Sequence, residues 1–233
     1  MKLFSFIPNA FTLLNLFFGC VAVVLGLSGN LEYLLLFVVL GLVCDFLDGF
    51  FARLLKVNST LGVQLDSLSD LVSFGMTSSV VMFLLIQKSE LVLDNTSNFI
   101  SYLPYFAFLI TIASSYRLAK FNLSLDQSSF IGLPTPANAI LIVFIPFLFE
   151  QFNKTYYLEN TYFLISIVIV SSYLLICNMK MFSFKLKSLK FNDNRLVFIF
   201  VSLSILLFVF FKVAAFPLTI ILYLLFNLFR IKF

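Results

Sequence analysis

The sequence predicts an all-α membrane protein, a polytopic helix bundle of about eight transmembrane helices with both termini in the cytoplasm. Two features of composition lead to this prediction. Hydrophobic residues make up 61% of the 233 residues, charged residues make up 11%, and the mean hydropathy is +1.08. A water-soluble domain usually carries about a quarter charged residues, because its surface must stay polar. This chain lacks the polar residues to cover a soluble core.

The third observation is the recurrence of apolar stretches along the chain. A transmembrane helix needs about 20 mostly apolar residues. We interpret eight stretches as spans: 9–28, 31–53, 63–86, 99–119, 135–150, 160–178, 196–212 and 215–230. The first has no small-residue cleavage site, and polar Asn9, Thr12 and Asn15 interrupt its apolar face, so it is predicted to be a span rather than a signal peptide.

The distribution of Lys and Arg predicts the orientation. With eight spans, 12 of the 15 basic residues fall on the side that holds both termini. They are Lys2, Arg53, Lys56, Arg117, Lys120, Lys180, Lys185, Lys187, Lys190, Arg195, Arg230 and Lys232. The other side has Lys88, Lys154 and Lys212. Cytoplasmic loops carry such an excess of basic residues, so both termini are expected to be cytoplasmic.

Other functional classes are disfavoured by the same composition. The net charge of +4 is spread over short loops, which argues against binding of nucleic acid. Cys20, Cys44 and Cys177 all fall inside predicted spans without disulfide or metal spacing, so we expect them to pack as small apolar residues. The basic segment 180–195 is expected to be a topology-setting loop, with attraction of anionic lipid headgroups as the alternative.

Two pairs of aspartates flank the turn between the second and third predicted spans. Asp45 and Asp48 are three residues apart, and Asp66 and Asp70 are four apart, so each pair shares one face of its helix. The two acidic faces are predicted to meet across a helix–helix contact at the cytoplasmic end. Small residues that let a backbone or a ligand come close accompany them: Gly49, Ala52 and Gly62.

Four ionised carboxylates in such a bundle would cost roughly 10 kcal/mol or more on a membrane-insertion scale. Arg53 and Lys56 are the only nearby cations, so a structural salt-bridge network lacks the necessary positive charges. Divalent metal would supply them, and carboxylate-only ligand sets favour Mg²⁺, Mn²⁺ or Ca²⁺. Four carboxylates balance two such ions, an arrangement suited to phosphoryl transfer.

The stretch 45–70 has the form DxxDGxxAR(x8)GxxxDxxxD, with eight fixed positions in order. It resembles the signature of the CDP-alcohol phosphotransferases. The N-terminal PNAFTLLNLFFG (8–19) is similar to the first-helix pattern PNxxTxxNxxxG of that family. The resemblance implies an enzyme that transfers a phosphatidyl or related group from a CDP-linked donor to an alcohol and releases CMP.

Two later stretches, SSYRLAKFN (114–122) and FIGLPTPANA (130–139), resemble the phosphatidylserine synthase branch of the family. The chain differs from that branch at Lys120 and Asn138, where Arg and Ala are expected. The resemblance therefore implies CDP-diacylglycerol and L-serine as substrates. It also implies a single catalytic domain over residues 1–233, with a six-helix core at 1–178 and a basic cytoplasmic loop with two further helices at 179–233.

The resemblance also assigns roles to residues. Asp45, Asp48 and Asp66 would bind metal, two Mg²⁺ or Mn²⁺ ions, and Asp70 would be the general base and be counted with the ligands. The residues bordering the nucleotide donor would be Thr12, Asn15, Gly49, Ala52, Arg53 and Gly62. The acceptor would contact Arg117, Lys120, Asn122 and Asn138, with the two asparagines as candidates for the ammonium group. A homodimer in the inner membrane, with the site facing the cytoplasm, is expected.

Several alternatives stay open at this stage. Arg117 can bind a carboxylate or a phosphate through two parallel hydrogen bonds, so charge alone does not separate serine from glycerol 3-phosphate or an inositol phosphate. A divalent cation transporter is the distant alternative. Such sites usually lie near the membrane midplane between repeats, whereas this cluster lies at one end and no repeat is visible. Direct displacement and a covalent phosphatidyl-enzyme are both open, although the chain has no His.

Overall fold

The computed structural model describes residues 6–57, 59–94, 98–123, 131–179, 181 and 195–228. These residues form helices and no strand. The α-helices are α1 (Phe6–Leu27), α2 (Leu31–Leu54), α3 (Thr60–Asp70), α4 (Thr77–Gln87), α5 (Glu90–Leu93), α6 (Leu109–Leu123), α7 (Thr135–Val143), α8 (Ile145–Gln151), α9 (Tyr156–Glu159), α10 (Thr161–Ile176), α11 (Arg195–Phe211) and α12 (Ala215–Leu228). A π-helical turn (Leu71–Met76) joins α3 to α4, and 3-10 segments precede α6 (Ile100–Phe108) and α12 (Lys212–Ala214).

Each of the eight predicted spans coincides with one of these helical segments, to within a few residues at either end. Four described stretches are long and apolar enough to cross a membrane: Phe6–Leu27, Leu31–Leu54, Thr60–Gln87 and Arg195–Leu228. Shorter apolar helices cover Thr135–Gln151 and Thr161–Ile176. The prediction of an all-α polytopic membrane protein is confirmed.

Prolines break two of the segments where the sequence places them. Pro146 has no N–H for the carbonyl of Ile142, so the fifth segment turns at Phe144 and resumes as α8. Pro104 also lacks an N–H, and it lies inside the 3-10 segment that precedes α6. Pro134 and Pro136 flank the first residue of α7, as expected for a helix start.

Contacts between chain-distant residues show that the segments alternate in direction. At one end of the bundle, which we call the proximal end, the start of α1 meets the end of α2 through Thr12 and Asp48. The end of α6 meets the start of α7 at the same end through Arg117 and Thr135. At the opposite, distal end, Ser89 after α4 bonds Thr161 at the start of α10. The described basic residues follow this division, with Lys88, Lys154 and Lys212 at the distal end.

Helices α11 and α12 form an antiparallel hairpin at the side of the bundle. The chain reverses at Lys212, whose φ of 45° is positive, so the stretch Arg195–Leu228 is two helices rather than one. Ring contacts confirm the pairing, because Phe200 lies 6.1 Å from Tyr223 and Phe208 lies 4.9 Å from Phe216. Most of the basic segment 180–195 lies outside the described residues.

Helix α1 contacts the centre of the bundle through one stripe of small and polar residues. The stripe repeats every three or four positions and is buried along its whole length: Pro8, Thr12, Asn15, Gly19, Ala22 and Gly26. Gly19 is needed because a Cβ atom there would lie 2.6 Å from the Cα of Ser73. Small residues of this kind let membrane helices approach to backbone contact. The approach brings α1 against α2 and the π-helical turn.

The π-helical turn follows Asp70 directly and is held by hydroxyl groups. Thr77 donates to the carbonyl of Ser73 at 2.6 Å, and Ser78 donates to that of Phe74 at 2.6 Å. Ser73 donates to the carbonyl of Asn15 in α1 at 2.8 Å. Single π turns inside helices are frequent at functional sites, since they rotate the residues that precede them relative to those that follow. Here the turn orients the last residue of α3, Asp70.

We expect Gly19→Ala to destabilise the protein, because its Cβ would collide with the Ser73 backbone. Overpacking of this kind costs about 1–3 kcal/mol. The thermal unfolding midpoint in detergent should fall by several degrees, on the order of the shift that such a cost causes in a domain of this size. The control is Cys20→Ala at the neighbouring exposed position. An unchanged midpoint for Gly19→Ala would contradict the close packing of α1.

Candidate functional site

An acidic cluster lies at the proximal end, where α2 ends and α3 begins. One carboxylate oxygen each from Asp45, Asp48 and Asp66 lies within 4.8 Å of the other two. Asp45 and Asp48 belong to the last turns of α2, and Asp66 to the middle of α3. The predicted meeting of the two acidic faces is therefore what the structure shows. Three carboxylates at this separation can hold a metal ion, and hard divalent ions prefer such oxygen ligands.

Asp70, like Asp48, is a buried member of the acidic group. Its side chain is 8% exposed, and its Oδ1 atom has no hydrogen-bond partner among the described residues. It interacts electrostatically with Asp45 and with Arg117 of α6. A buried acceptor without a partner costs free energy unless a ligand supplies one. Asp70 is thus a member of the acidic group that also interacts with the predicted acceptor residue Arg117.

Helix α1 holds the acidic faces in place through two of its buried residues. The hydroxyl of Thr12 donates to Oδ2 of Asp48 at 2.7 Å, and the carbonyl of Thr12 accepts from Ser69 at 3.0 Å. One turn further, Asn15 accepts from Ser73 through its carbonyl. Thr12 therefore touches both acidic helices at once, which fixes their spacing.

An open cleft of about 440 Å³ lies beside the cluster, between α1, α2 and the start of α3. Its wall includes the carboxylates of Asp48 and Asp66. Four further predicted donor residues also line it: Thr12, Gly49, Ala52 and Gly62. At Gly62 a Cβ would lie 3.0 Å from the Asn9 amide oxygen, so glycine keeps this wall open. The cleft is large enough for a small-molecule group.

Two predicted donor residues lie elsewhere. Arg53 is exposed, and its guanidinium lies over Gly49, with Nη1 3.5 Å from the position that a Cβ on that glycine would take. Asn15 is fully buried between Gly41 of α2 and the π-helical turn, and both polar atoms of its amide lack a partner among the described residues. Asn15 is one turn deeper than the cleft, below the aspartates rather than on the cleft wall.

The four predicted acceptor residues bond to different partners. Arg117 donates from Nη1 to Thr135 at 3.1 Å and interacts electrostatically with Asp70. Lys120 donates to Asn178 on the exposed surface at 2.9 Å, and Asn122 bonds Ser67 on α3 at 2.9 Å. Asn138 is fully buried on α7 and accepts from Ser171 of α10 at 2.7 Å. The structure therefore lets Arg117 interact with Asp70, pairs Asn122 with α3, and pairs Lys120 with Asn178 just after α10.

Sequence reasoning missed several residues that support the site: Ser69, Ser73, Thr135 and Ser171. Their side chains bond to groups 18 to 58 positions away along the chain. Thr135 lies between the two prolines of the stretch FIGLPTPANA, one of the stretches that carry the family resemblance. Nothing in its local spacing distinguishes a helix-starting threonine from one that binds an arginine.

Comparison with known proteins places these residues in a wider context. The model of the CDP-alcohol phosphatidyltransferase family matches residues 5–176. A Helicobacter pylori protein is 32% identical over 203 residues, which cover 85% of this chain and 80% of that protein. A Bacillus subtilis protein is 33% identical over 147 residues, 63% of this chain and 78% of its own length. A Methanocaldococcus jannaschii protein is 35% identical over 138 residues, which cover 59% of this chain and 58% of that protein. All three are named CDP-diacylglycerol–serine O-phosphatidyltransferase.

Loss of one clustered carboxylate should weaken metal binding. We expect Asp66→Asn to bind Mn²⁺ at least tenfold more weakly than the unaltered protein, since one of three converging oxygens loses its charge. Electron paramagnetic resonance of free Mn²⁺ in a titration of the purified protein gives the affinity directly. Asp94→Asn, an exposed aspartate at the distal end, is the matched control. Equal Mn²⁺ affinity in both variants would contradict a metal site at the cluster.

Proposed function

The chain belongs to the CDP-alcohol phosphatidyltransferase family, and on that premise we propose that it transfers the phosphatidyl group of CDP-diacylglycerol to the hydroxyl of L-serine, releasing CMP. The observation that carries the proposal is the convergence of the signature aspartates on one site at the proximal end. The names of relatives that are 32–35% identical support serine as the acceptor.

The open cleft is the proposed site of the CDP moiety. Its floor of small residues, Gly49, Ala52 and Gly62, lets a flat nucleotide approach the helix backbones, and Thr12 presents its side chain there. Arg53, which lies over Gly49, is proposed to meet the phosphates as they enter. Asn15 is proposed to support the cluster from below, in keeping with its full burial.

Asp45, Asp48, Asp66 and Asp70 fit a metal site in chemistry and in number. The donor set consists of carboxylates alone, three of them already converge, and Asp70 has a buried oxygen without a partner. We propose two Mg²⁺ or Mn²⁺ ions, which balance four negative charges. When bound, the ions would neutralise the diphosphate and stabilise the CMP leaving group. Thr12 assists by fixing the Asp48 carboxylate through its hydrogen bond.

Asp70 is the proposed general base. It would take the proton from the serine hydroxyl while that oxygen forms a bond to the phosphorus on the lipid side, and the bond from phosphorus to the CMP oxygen breaks. Its burial excludes water from the carboxylate, and its neighbour Arg117 is placed to bind the serine carboxylate. Direct displacement needs no enzyme nucleophile. It is supported by the hydrogen bonds of Ser67 and Ser69, which go to Asn122 and the Thr12 carbonyl rather than to the cleft.

The membrane arrangement is part of the proposal. The excess of basic residues at the proximal end supports a site that faces the cytoplasm, where soluble serine and a membrane-embedded lipid both reach it. The cell (inner) membrane and a homodimer are proposed from the family resemblance. Residues 1–178 are the proposed catalytic core, which the family model supports by matching 5–176, and 179–233 are a proposed accessory segment.

The rival acceptors differ from serine in charge. Glycerol 3-phosphate and inositol phosphate present a doubly charged phosphate, whereas the one guanidinium of Arg117, which interacts with Asp70, balances the single negative charge of a carboxylate. A cation transporter is a weaker reading, since the cluster lies at one end of the bundle rather than at its middle.

The acceptor is tested with a panel of alcohols and purified protein. With CDP-diacylglycerol and Mg²⁺ or Mn²⁺, we expect CMP release to require serine, to be poor with ethanolamine and to be negligible with glycerol 3-phosphate. A site built to bind polar groups rejects analogues that leave those groups unpaired. The same assay in excess EDTA is the blank. CMP release with glycerol 3-phosphate and none with serine would overturn the assignment of serine as the acceptor. It would leave the proposed class of reaction unchanged.

Asp70→Asn separates the base from the metal ligands. The change should abolish turnover and leave binding of CDP-diacylglycerol largely intact, because a base acts in the transition state. Asp48→Asn should weaken both metal and donor binding, since it removes a cleft-lining carboxylate. Single-turnover CMP release and equilibrium binding of the donor measure the two effects. A kcat for Asp70→Asn near that of the unaltered protein would place the base elsewhere.

A further inference from the structure

Two buried hydrogen bonds orient the side chains of Arg117 and Asn138, each of which has one N–H without an acceptor among the described residues. Both are made by residues to which no role has been given above, Thr135 of α7 and Ser171 of α10. Each bond uses one atom of a proposed acceptor residue and leaves a neighbouring N–H of the same side chain free. The hydrogen bonds at Nη1 of Arg117 and at Oδ1 of Asn138 therefore decide which N–H of each side chain stays available for a ligand.

Thr135 holds the guanidinium of Arg117. The threonine is fully buried as the first residue of α7, and its hydroxyl accepts from Nη1 at 3.1 Å. The Nε atom of the same guanidinium is buried and has no acceptor among the described residues. Because the guanidinium is planar, a bond at Nη1 sets the direction in which the Nε–H points.

Ser171 fixes the amide of Asn138. Its hydroxyl donates to Oδ1 at 2.7 Å, and both residues are almost completely buried. The amide oxygen is thereby occupied, and Nδ2 has no acceptor among the described residues. The orientation matters for the ligand, because an amide N–H donates to a carboxylate and cannot accept from an ammonium group. Asn138 thus suits the acidic end of serine rather than its ammonium group.

The residues that carry the two donors are linked through α7. Thr135 and Asn138 are three residues apart on α7, so they occupy one face of the helix about 4.5 Å apart along its axis. Arg117 is bonded to the first of them and interacts with Asp70. A carboxylate has two oxygens that can accept one bond from each donor. Serine bound in this way would carry its hydroxyl on the side of Asp70.

We propose that Thr135 and Ser171 are positioning residues for the acceptor, which orient the Arg117 and Asn138 donors to bind the carboxylate of L-serine. The proposal rests on serine being the acceptor. It concerns the free enzyme, in which hydrogen bonds already hold the Arg117 and Asn138 side chains before serine binds. Preorganised donors of this kind lower the cost of binding.

The alternative explanation is that both hydrogen bonds only stabilise the packing of neighbouring helices. Hydroxyl and amide groups often bond between membrane helices for stability. The two explanations differ in kinetics. Helix joining affects both substrates and the folded fraction together, whereas positioning acts on serine alone and only through its carboxylate.

The experiment compares Thr135→Val, Thr135→Ser and Ser171→Ala with matched controls. Thr219→Val removes a buried α12 hydroxyl that has no partner among the described residues, and Ser166→Ala removes an α10 hydroxyl that donates to the Phe163 carbonyl of its own helix. We expect Thr135→Val to raise the KM for serine about tenfold and Ser171→Ala several-fold, on the order of losing a well-aligned bond to a charged group. The KM for CDP-diacylglycerol should change less than about twofold, and Thr135→Ser should restore the KM for serine.

Serinol, in which CH₂OH replaces the carboxylate, completes the test as a chemical double-mutant cycle. The unaltered protein should use serinol poorly, and Thr135→Val should lose no further activity with it. An unchanged KM for serine, equal increases for both substrates, or an equal loss with serine and serinol would overturn the positioning role. If the unaltered protein released no CMP with serine but did so with another alcohol, the proposed function itself would fail, which is a separate and visible result.

Discussion

Four carboxylates held together at one end of an apolar bundle are the constraint on which the rest of the structure depends. Charges of this kind are costly near lipid, and a cluster of like charges adds repulsion. The fold does not disperse them, because Asp45, Asp48 and Asp66 converge within 4.8 Å. A bound divalent metal ion would offset this repulsion, and the nearby open cleft gives an ion access to the carboxylates. The electrostatic cost of bringing the carboxylates together is therefore offset when the site binds metal.

Helix α1 is the element that makes this convergence possible. Its buried stripe consists of small and polar residues rather than large apolar ones, so it approaches α2 and the π-helical turn to backbone contact. Thr12 then reaches Asp48 and Ser69 on two different helices. A bulkier stripe would separate α2 from α3 and spread the carboxylates. Close packing in the apolar bundle thus sets the geometry of its polar end.

The site has two regions with different surroundings. The open cleft is bordered by Gly49, Ala52 and Gly62 and opens to the surface, which suits the proposed donor with its lipid tail. Arg117, Thr135 and Asn138 join α6, α7 and α10, where buried polar atoms pair with one another and leave two donors without an acceptor among the described residues. A small polar acceptor fits such surroundings because each unpaired donor disfavours molecules that cannot satisfy it. Asp70, the proposed base, interacts with Asp48 and Asp66 of the cleft wall and with Arg117.

The sequence by itself determined the fold class, the approximate span limits and the pairing of the acidic faces. These follow from local rules: backbone groups in lipid must be satisfied inside a helix, and residues three or four apart share a helical face. Asp45 with Asp48, and Asp66 with Asp70, could therefore be placed without a structure. Only the tertiary structure decided that Asn15 turns inward below the cluster, that Thr135 holds Arg117, and that Ser171 orients Asn138. These contacts depend on the depth and rotation of separate helices relative to one another. Periodicity along one helix carries no information about either quantity.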